Sequence, residues 1–288
     1  MLKTKIQKQK PKICLTVAGL DPSGGAGIIA DIKTFSAFGC FATAAVASLT
    51  FQNTSGVYGA ANQTAETVRR QIEPVLQDFE VSALKTGMLP TREIIEEVAR
   101  IVEVYNLENF VVDPVVRSTS GFDLIDDAAL RVLIEKLFPL SVVITPNIPE
   151  AERIAQMKIE NADDIRKAAL VMQSRGAKNV LIKGGHIPIS DLEFKISDSE
   201  DGRNQQLNKE KRKAFDFLFL GEDLKIFEAE YIETNATHGT GCTLASAIAA
   251  NLANGKTLIE AVETAKNFVT EAIRTAPNLG HGHSPINI

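Results

Sequence analysis

Short apolar runs alternate with amphipathic helical stretches along almost the whole chain, and this alternation constrains the fold more than any other feature. Residues 13–18, 44–50, 83–86, 110–113, 142–145 and 180–183 predict short buried strands. Helical periodicity fills the intervals near 26–38, 64–78, 91–105, 126–138 and 162–175. Such an order predicts an α/β fold, a central mostly parallel sheet with helices on both faces. There is no internal repeat and no Pro/Ser-rich linker, so one domain is expected over 13–288. Two segments break the pattern. Residues 197–213 are almost wholly polar and predict a surface loop, about 190–213 in full. Two apolar runs around Gly221-Glu222-Asp223 then predict a hairpin, and helices near 242–253 and 257–275 close the chain.

Composition excludes several function classes. The 288 residues carry a net charge of −5, so no global basic field invites nucleic acid or an anionic membrane. Residues 1–12 form a short basic segment without an apolar core, which predicts a disordered tail rather than a signal peptide. No run approaches membrane-spanning length. The three cysteines, Cys14, Cys40 and Cys242, include no C-x-x-C pair. That argues against a disulfide framework or zinc site and for a cytoplasmic location.

Two glycine-rich segments precede helical runs. In "ATHGTGCTLASAIAANLANG", residues 236–255, Gly239-Thr240-Gly241-Cys242 opens a long helical pattern. A helix N-terminus presents unpaired N–H groups and partial positive charge, so the segment reads as an anion cradle with a thiol at its rim. In "AGLDPSGGAGIIADIKTF", Gly25-Ala26-Gly27-Ile28-Ile29-Ala30 has the form of a dinucleotide fingerprint. That fingerprint needs an acidic residue about 20 positions on to hold the ribose. None occurs between Asp31 and Glu66, so the nicotinamide reading fails. Gly255-Lys256-Thr257 imitates the end of a phosphate-binding loop, but Ala250 fills the first glycine position and a helix–helix turn is expected.

Further candidates stand at the carboxyl ends of predicted strands, where open α/β sheets bind ligands. They are Asp113 in "FVVDP", Asn147 and Glu150 in "ITPNIPEA", and Lys183 with His186 in "VLIKGGH". Singly each suits turn chemistry or a solvated surface. Together two carboxylates suited to Mg²⁺, a lysine suited to phosphate and an anion cradle compose a phosphoryl-transfer site.

The blocks "AGLDPSGGAGIIADIKTFSAFG", "QNTSGV", "KTGML", "TPNIPEA", "IKGGH" and "THGTGCTLASAIAANLA" occur in one order across nearly the whole chain from Ile13. In them the sequence resembles the hydroxymethylpyrimidine/phosphomethylpyrimidine kinases of thiamine biosynthesis, a branch of the ribokinase-like superfamily. The resemblance implies a ribokinase-like sandwich that uses ATP and Mg²⁺ to phosphorylate 4-amino-5-hydroxymethyl-2-methylpyrimidine and then its monophosphate. It also implies a homodimer. The competing reading within the branch is a pyridoxal/pyridoxine kinase. A catalytically silent pyrimidine sensor is disfavoured because Cys242, Lys183 and Glu150 are all retained.

The resemblance further implies residue roles. Gly19, Asp31, Gln52 and Met88 would line the pyrimidine pocket, with Asp31 and Gln52 hydrogen-bonding the ring. Asp113, Asn147, Glu150, Lys183 and Thr240 would hold ATP, with Glu150 and Asp113 toward the metal. Gly239 and Gly241 would hold the transferring phosphoryl group through their backbone. Cys242, its pKa lowered by the helix, would act as base, with His238 relaying the proton. Cys14 and Cys40 are expected to be structural. Departures from the family pattern are Thr119 where a lysine is usual, with Arg117 nearby; the bulk of Phe51 before Gln52; and the long polar insertion.

Overall fold

The computed structural model describes residues 10–117, 121, 123–184 and 212–288. The expectations for the basic tail up to residue 9, for Thr119 and His186, and for the polar loop up to residue 211 lie outside the described residues.

Among the described residues, nine strands form one sheet in the order β3-β2-β1-β4-β5-β6-β7-β8-β9. In chain order these are β1 (Ile13–Leu20), β2 (Phe41–Asn53), β3 (Gly56–Asn62), β4 (Val81–Thr86), β5 (Phe110–Val112), β6 (Val143–Ile144), β7 (Asn179–Lys183), β8 (Lys213–Leu220) and β9 (Asp223–Glu230). The middle of the sheet, from β2 through β7, is parallel. Antiparallel ribbons finish it on both sides, β2–β3 on one and β7–β8–β9 on the other. The helices are α1 (Gly27–Ala37), α2 (Ala65–Asp78), α3 (Arg92–Val104), α4 (Asp127–Leu137), α5 (Ile148–Ala155), α6 (Ala162–Ser174), α7 (Thr240–Ala253) and α8 (Leu258–Arg274).

The period-2 pleat sorts each strand's side chains between two cores. Leu15, Leu84, Val112, Ile182 and Phe217 join α2 to α6 in one apolar layer. Their neighbours Cys14, Ala83, Val111, Leu181 and Leu218 face α1, α7 and α8 in the other. Cys14 and Cys40 are buried in that second layer, as expected of structural cysteines. Helix α7 is buried continuously from Thr243 to Ala253, which explains its Ala- and Leu-rich, nearly non-amphipathic sequence. The segment 255–257 is indeed a helix–helix turn: Gly255 has φ 87°, and Thr257 caps α8 in a capping box with Glu260.

Two elements depart from the expected pattern. Strand β3 arises where "GVYGAAN" carries glycine and no strict alternation. It pairs as an edge strand with β2, which runs well beyond the expected residue 50. Helix α5 arises where Asn-x-Pro reads as a turn. The Asn147 side chain accepts from the Glu150 N–H while the Glu150 carboxylate accepts from the Asn147 N–H, a complete capping box followed by proline in the first turn.

A polar knot ties the α1/α7 layer to the sheet. Asp31 on α1 accepts both its oxygens' bonds from the Lys85 ammonium of β4, at 2.9 Å each. Thr16 Oγ1 of β1 donates to it at 2.6 Å and Ser246 Oγ of α7 at 2.6 Å. Both charged side chains are fully buried. Burial works against the lysine's charge, but the Asp31 carboxylate outweighs it and holds the Lys85 pKa above the usual lysine range. A buried pair stripped of one partner leaves an uncompensated charge. Lys85→Met is therefore expected to cost about 3–5 kcal/mol of stability in urea unfolding; a loss within error of zero would show that the pair is dispensable.

Candidate active site

A cavity of about 850 Å³ runs across the carboxyl ends of the parallel strands. Its lining includes Gly19 at the end of β1, Gln52 of β2, Gly87 and Met88 after β4, Asp113 after β5, Asn147 after β6 and Lys183 ending β7. The N-terminus of α7 enters it midway, with 237–242 on its wall. The apolar side chains of Ala214, Ala229, Ile232, Leu244, Val269 and Ile273 gather at the far end, together with Glu230, Tyr231, Thr270 and the Asp216–Lys266 ion pair of 2.7 Å.

At the β1–β2 end, one carboxylate organises the glycine loop. Asp21 accepts from Ser23 N at 2.8 Å, Ser23 Oγ at 2.7 Å and Ala26 N at 2.9 Å. His238 Nε2 lies 2.7 Å from its Oδ2. Burial opposes ionisation of Asp21, yet hydrogen bonds from His238, Ser23 and Gln52 prevail and bring its pKa down to about 2. The loop then closes on α7. Gly239 has φ 89°, and a Cβ there would stand 1.8 Å from the Gly25 carbonyl oxygen; a Cβ on Gly25 would stand 2.4 Å from the His238 ring. Only glycine permits both approaches.

In the middle, a charged triad faces the cradle. Lys183 Nζ donates to Asp113 Oδ1 at 3.0 Å and lies 4.0 Å from Glu150 Oε2. Thr145 Oγ1 donates to the same Asp113 oxygen at 3.0 Å. A Cβ on Gly241 would lie 3.2 Å from Lys183 Nζ and 3.8 Å from Asp113 Oδ2, so the first turn of α7 sits directly against this group. Burial opposes the Lys183 charge, but Asp113 and Glu150 together raise its pKa. Glu150 is buried, and burial pushes its carboxyl up to about 7; Lys183 opposes that shift and Asp113 adds to it. A cation, an anion-seeking helix end and a carboxylate pair suited to a divalent ion thus converge on one point.

These contacts are found in a chain that matches the family model "Phosphomethylpyrimidine kinase" over residues 21–287. The chain belongs to the phosphomethylpyrimidine kinase family. It is 42% identical over 273 residues to the hydroxymethylpyrimidine/phosphomethylpyrimidine kinase of Bacillus subtilis, covering 95% of this chain and 93% of that protein. It is similar in structure to the phosphomethylpyrimidine kinase of Clostridium difficile 630, with TM-score 0.73, 39% identity, and coverage of 91% of this chain and 99% of that one. The pyridoxal kinase of Staphylococcus aureus in complex with AMP-PCP and pyridoxal is also similar, with TM-score 0.81, 30% identity, and coverage of 97% and 94%. These neighbours share the ribokinase-like sandwich expected from the sequence.

Most of the residues singled out in this family member share the cavity: Gly19, Gln52, Met88, Asp113, Asn147, Glu150, Lys183, His238, Gly239, Thr240, Gly241 and Cys242. Asp31 does not. Its carboxylate is fully buried among Lys85, Thr16 and Ser246, beneath the cavity rather than on its wall. The expected lowering of the Cys242 pKa is also reversed. Burial pushes the thiol up to about 11; Lys85 and a Gly27 N–H pull it down, but Asp31 and Asp113 add to the rise. His238, expected to serve Cys242, is instead bound to Asp21. The Thr240 hydroxyl donates back to the Thr237 carbonyl at 3.0 Å. Phe51 points out of the cavity, 55% exposed, so its bulk does not bear on the pocket. Arg117 lines the cavity and pairs with Asp123 at 2.9 Å.

Two residues escaped the sequence reading. Asp21 stands in a D-P-S-G-G run, where an aspartate two residues before a serine N–H is the mark of an Asx turn. Lys85 sits inside an apolar strand, and a lysine there requires a buried partner.

Because Glu150 is raised from 4.5 to about 7, the folded protein binds more protons than the unfolded chain between those values. Its contribution to stability is therefore present at low pH and lost as pH rises through 7. Glu150→Gln removes that loss. Relative to wild type, the variant's melting temperature is expected to improve from pH 5 to pH 8 while its activity falls; a relative change in the opposite sense would refute the assignment.

Proposed function

We propose that this chain phosphorylates 4-amino-5-hydroxymethyl-2-methylpyrimidine with ATP and then phosphorylates the resulting monophosphate, a pair of steps in thiamine biosynthesis. The observation that carries this reading is the convergence of the α7 N-terminus, Lys183, Asp113 and Glu150 midway along a cavity with a polar end and an apolar end. The polar end, with Gly19, Gln52 and Met88, suits a flat heterocycle. The apolar end suits the adenine of ATP.

The residues divide the work by position. Backbone donors of Gly239, Gly241 and Cys242 hold the phosphoryl group in transfer, while the Thr240 N–H is bonded to the Thr237 carbonyl. Lys183 neutralises its charge. Asp113 and Glu150 fit Mg²⁺, which is commonly held by one or two carboxylates with phosphates and waters completing the shell. The ion would supply further neutralisation of phosphate charge. Asn147 shapes the cavity wall there as the cap of α5.

Cys242 is the proposed proton acceptor from the substrate hydroxyl, in the thiolate form that burial disfavours in the chain alone and that an added cation beside it would favour. His238, fixed by Asp21, orients the chain entering the cradle. The two steps differ in their need for a base. A hydroxymethyl group must lose its proton as its oxygen attacks phosphorus, whereas a phosphate monoester, with a second pKa of about 6, is already ionised near neutral pH. The reading places the enzyme in the cytoplasm and as a homodimer.

Cys242→Ala is expected to lower kcat for the first step by about 10²–10⁴-fold and to spare the second. Wild-type kcat with the hydroxymethylpyrimidine would defeat the base assignment. Gln52→Leu should depress pyrimidine kcat/KM by roughly tenfold or more without weakening ATP binding, since a buried substrate amino group loses its partner. An ADP-release assay with the pyrimidine, its phosphate and pyridoxal reads both variants. Preferential turnover of pyridoxal by the wild type would overturn the substrate assignment.

A further inference from the structure

Beyond α8 the chain does not trail into solvent. Residues 279–287 fold back and bind three separate elements. At the β2–β3 turn, Gly282 N donates to Thr54 Oγ1 at 3.3 Å and His283 N to the Thr54 carbonyl at 2.8 Å. At the entry to α7, His238 N donates to the Ser284 carbonyl at 3.2 Å and Ile286 N to the His238 carbonyl at 3.4 Å. At the end of α8, Asn287 N donates to the Ala272 carbonyl at 3.0 Å. Ser284 and Ile286 are buried, and Ser284 Oγ accepts from Leu279 N at 2.9 Å, closing the strap on itself.

The fit admits no side chain at its crossing. A Cβ on Gly282 would stand 2.1 Å from the Thr54 carbonyl oxygen, and one on Gly280 would stand 2.2 Å from Thr54 Oγ1. Thr54 follows Gln52 by two residues, and His238 immediately precedes Gly239 of the cradle. The strap therefore spans the two parts of the site that must be spaced correctly, the amide facing the heterocycle and the donors facing the phosphoryl group. It meets α8 at the Ala272 backbone carbonyl, next to Ile273 of the apolar end, and it meets the acceptor side through Thr54 and His238.

We propose that the segment 279–287 is a positioning element of the acceptor site, fixing Gln52 against the α7 cradle by its simultaneous bonds to Thr54 and His238. The inference rests on Gln52 and the cradle serving the acceptor and the phosphoryl group. Misplacement of reacting groups by about 1 Å can cost on the order of 10²-fold in rate.

The test compares Gly282→Val, which forces the strap off Thr54, with Thr54→Val, which removes only one acceptor oxygen. Steady-state kinetics use whichever acceptor the wild type phosphorylates, so a wrong substrate assignment is seen in the wild type and not in the variants. ATP affinity without acceptor and thermal melting are measured alongside. Gly282→Val is expected to lower acceptor kcat/KM by about 10–100-fold, with a raised acceptor KM and ATP affinity within twofold of wild type. Thr54→Val should show the same split at about threefold. Acceptor constants within twofold of wild type in Gly282→Val, or parallel losses of acceptor and ATP affinity tracking a lowered melting temperature, would overturn the proposal. If Gly282→Val does not fold, Thr54→Val decides, and wild-type acceptor constants in it would refute the positioning role.

Discussion

The buried pair between Asp31 and Lys85 is the interaction on which the rest of the arrangement depends. It joins α1 to β4 directly, and through Thr16 and Ser246 it reaches β1 and α7 as well. Ser246 lies one helical turn beyond Cys242, on the same face of α7. Fixing Ser246 to the sheet therefore sets the height at which the first turn of α7 meets the strand ends. An apolar substitute could fill the same space, but it would not select this register of helix against sheet, because non-directional packing tolerates sliding and four converging hydrogen bonds do not.

Above that knot the electrostatics leave the site short of positive charge. Asp113 and Glu150 share Lys183, and the raised pKa of Glu150 records that one ammonium does not satisfy two shielded carboxylates. The raised pKa of the Cys242 thiol has burial and neighbouring carboxylates as its causes, and it shows that the helix end and Lys85 do not by themselves stabilise an anion there. Both groups sit where an added cation would favour their ionised forms. At the opposite side of the cradle, Asp21 is strongly ionised because four donors surround it. The site thus pairs a well-satisfied anion that holds loops in place with groups that burial holds back from ionisation.

Much of this was legible in the sequence because it is local. The strand and helix alternation, the hairpin around Gly221 and the helix that begins at Thr240 all rest on period, turn chemistry and helix-end physics. What was not legible is set by partners distant in sequence. Nothing near Asp31 reveals that Lys85, 54 residues on, claims its carboxylate. Nothing near Cys242 reveals the burial and neighbouring carboxylates that raise its thiol pKa. Strand β3 needed β2 to define it, and α5 needed a capping box whose proline also serves turns. The resemblance carried the assignment of function, while the geometry shows Asp31 bound to Lys85 and His238 bound to Asp21.

The interlock of Gly25 with His238 and Gly239 also bears on how such an enzyme can diversify. Gly25 is closed to side chains by the His238 ring and Gly239 by the Gly25 carbonyl, so a substitution at either position collides. Sequence drift where the glycine loop meets the start of α7 is restricted by these contacts. At the start of β3, by contrast, a Cβ added to Gly56 would meet nothing within 4 Å. Substitution is therefore open at the start of β3 and closed where the glycine loop meets the start of α7.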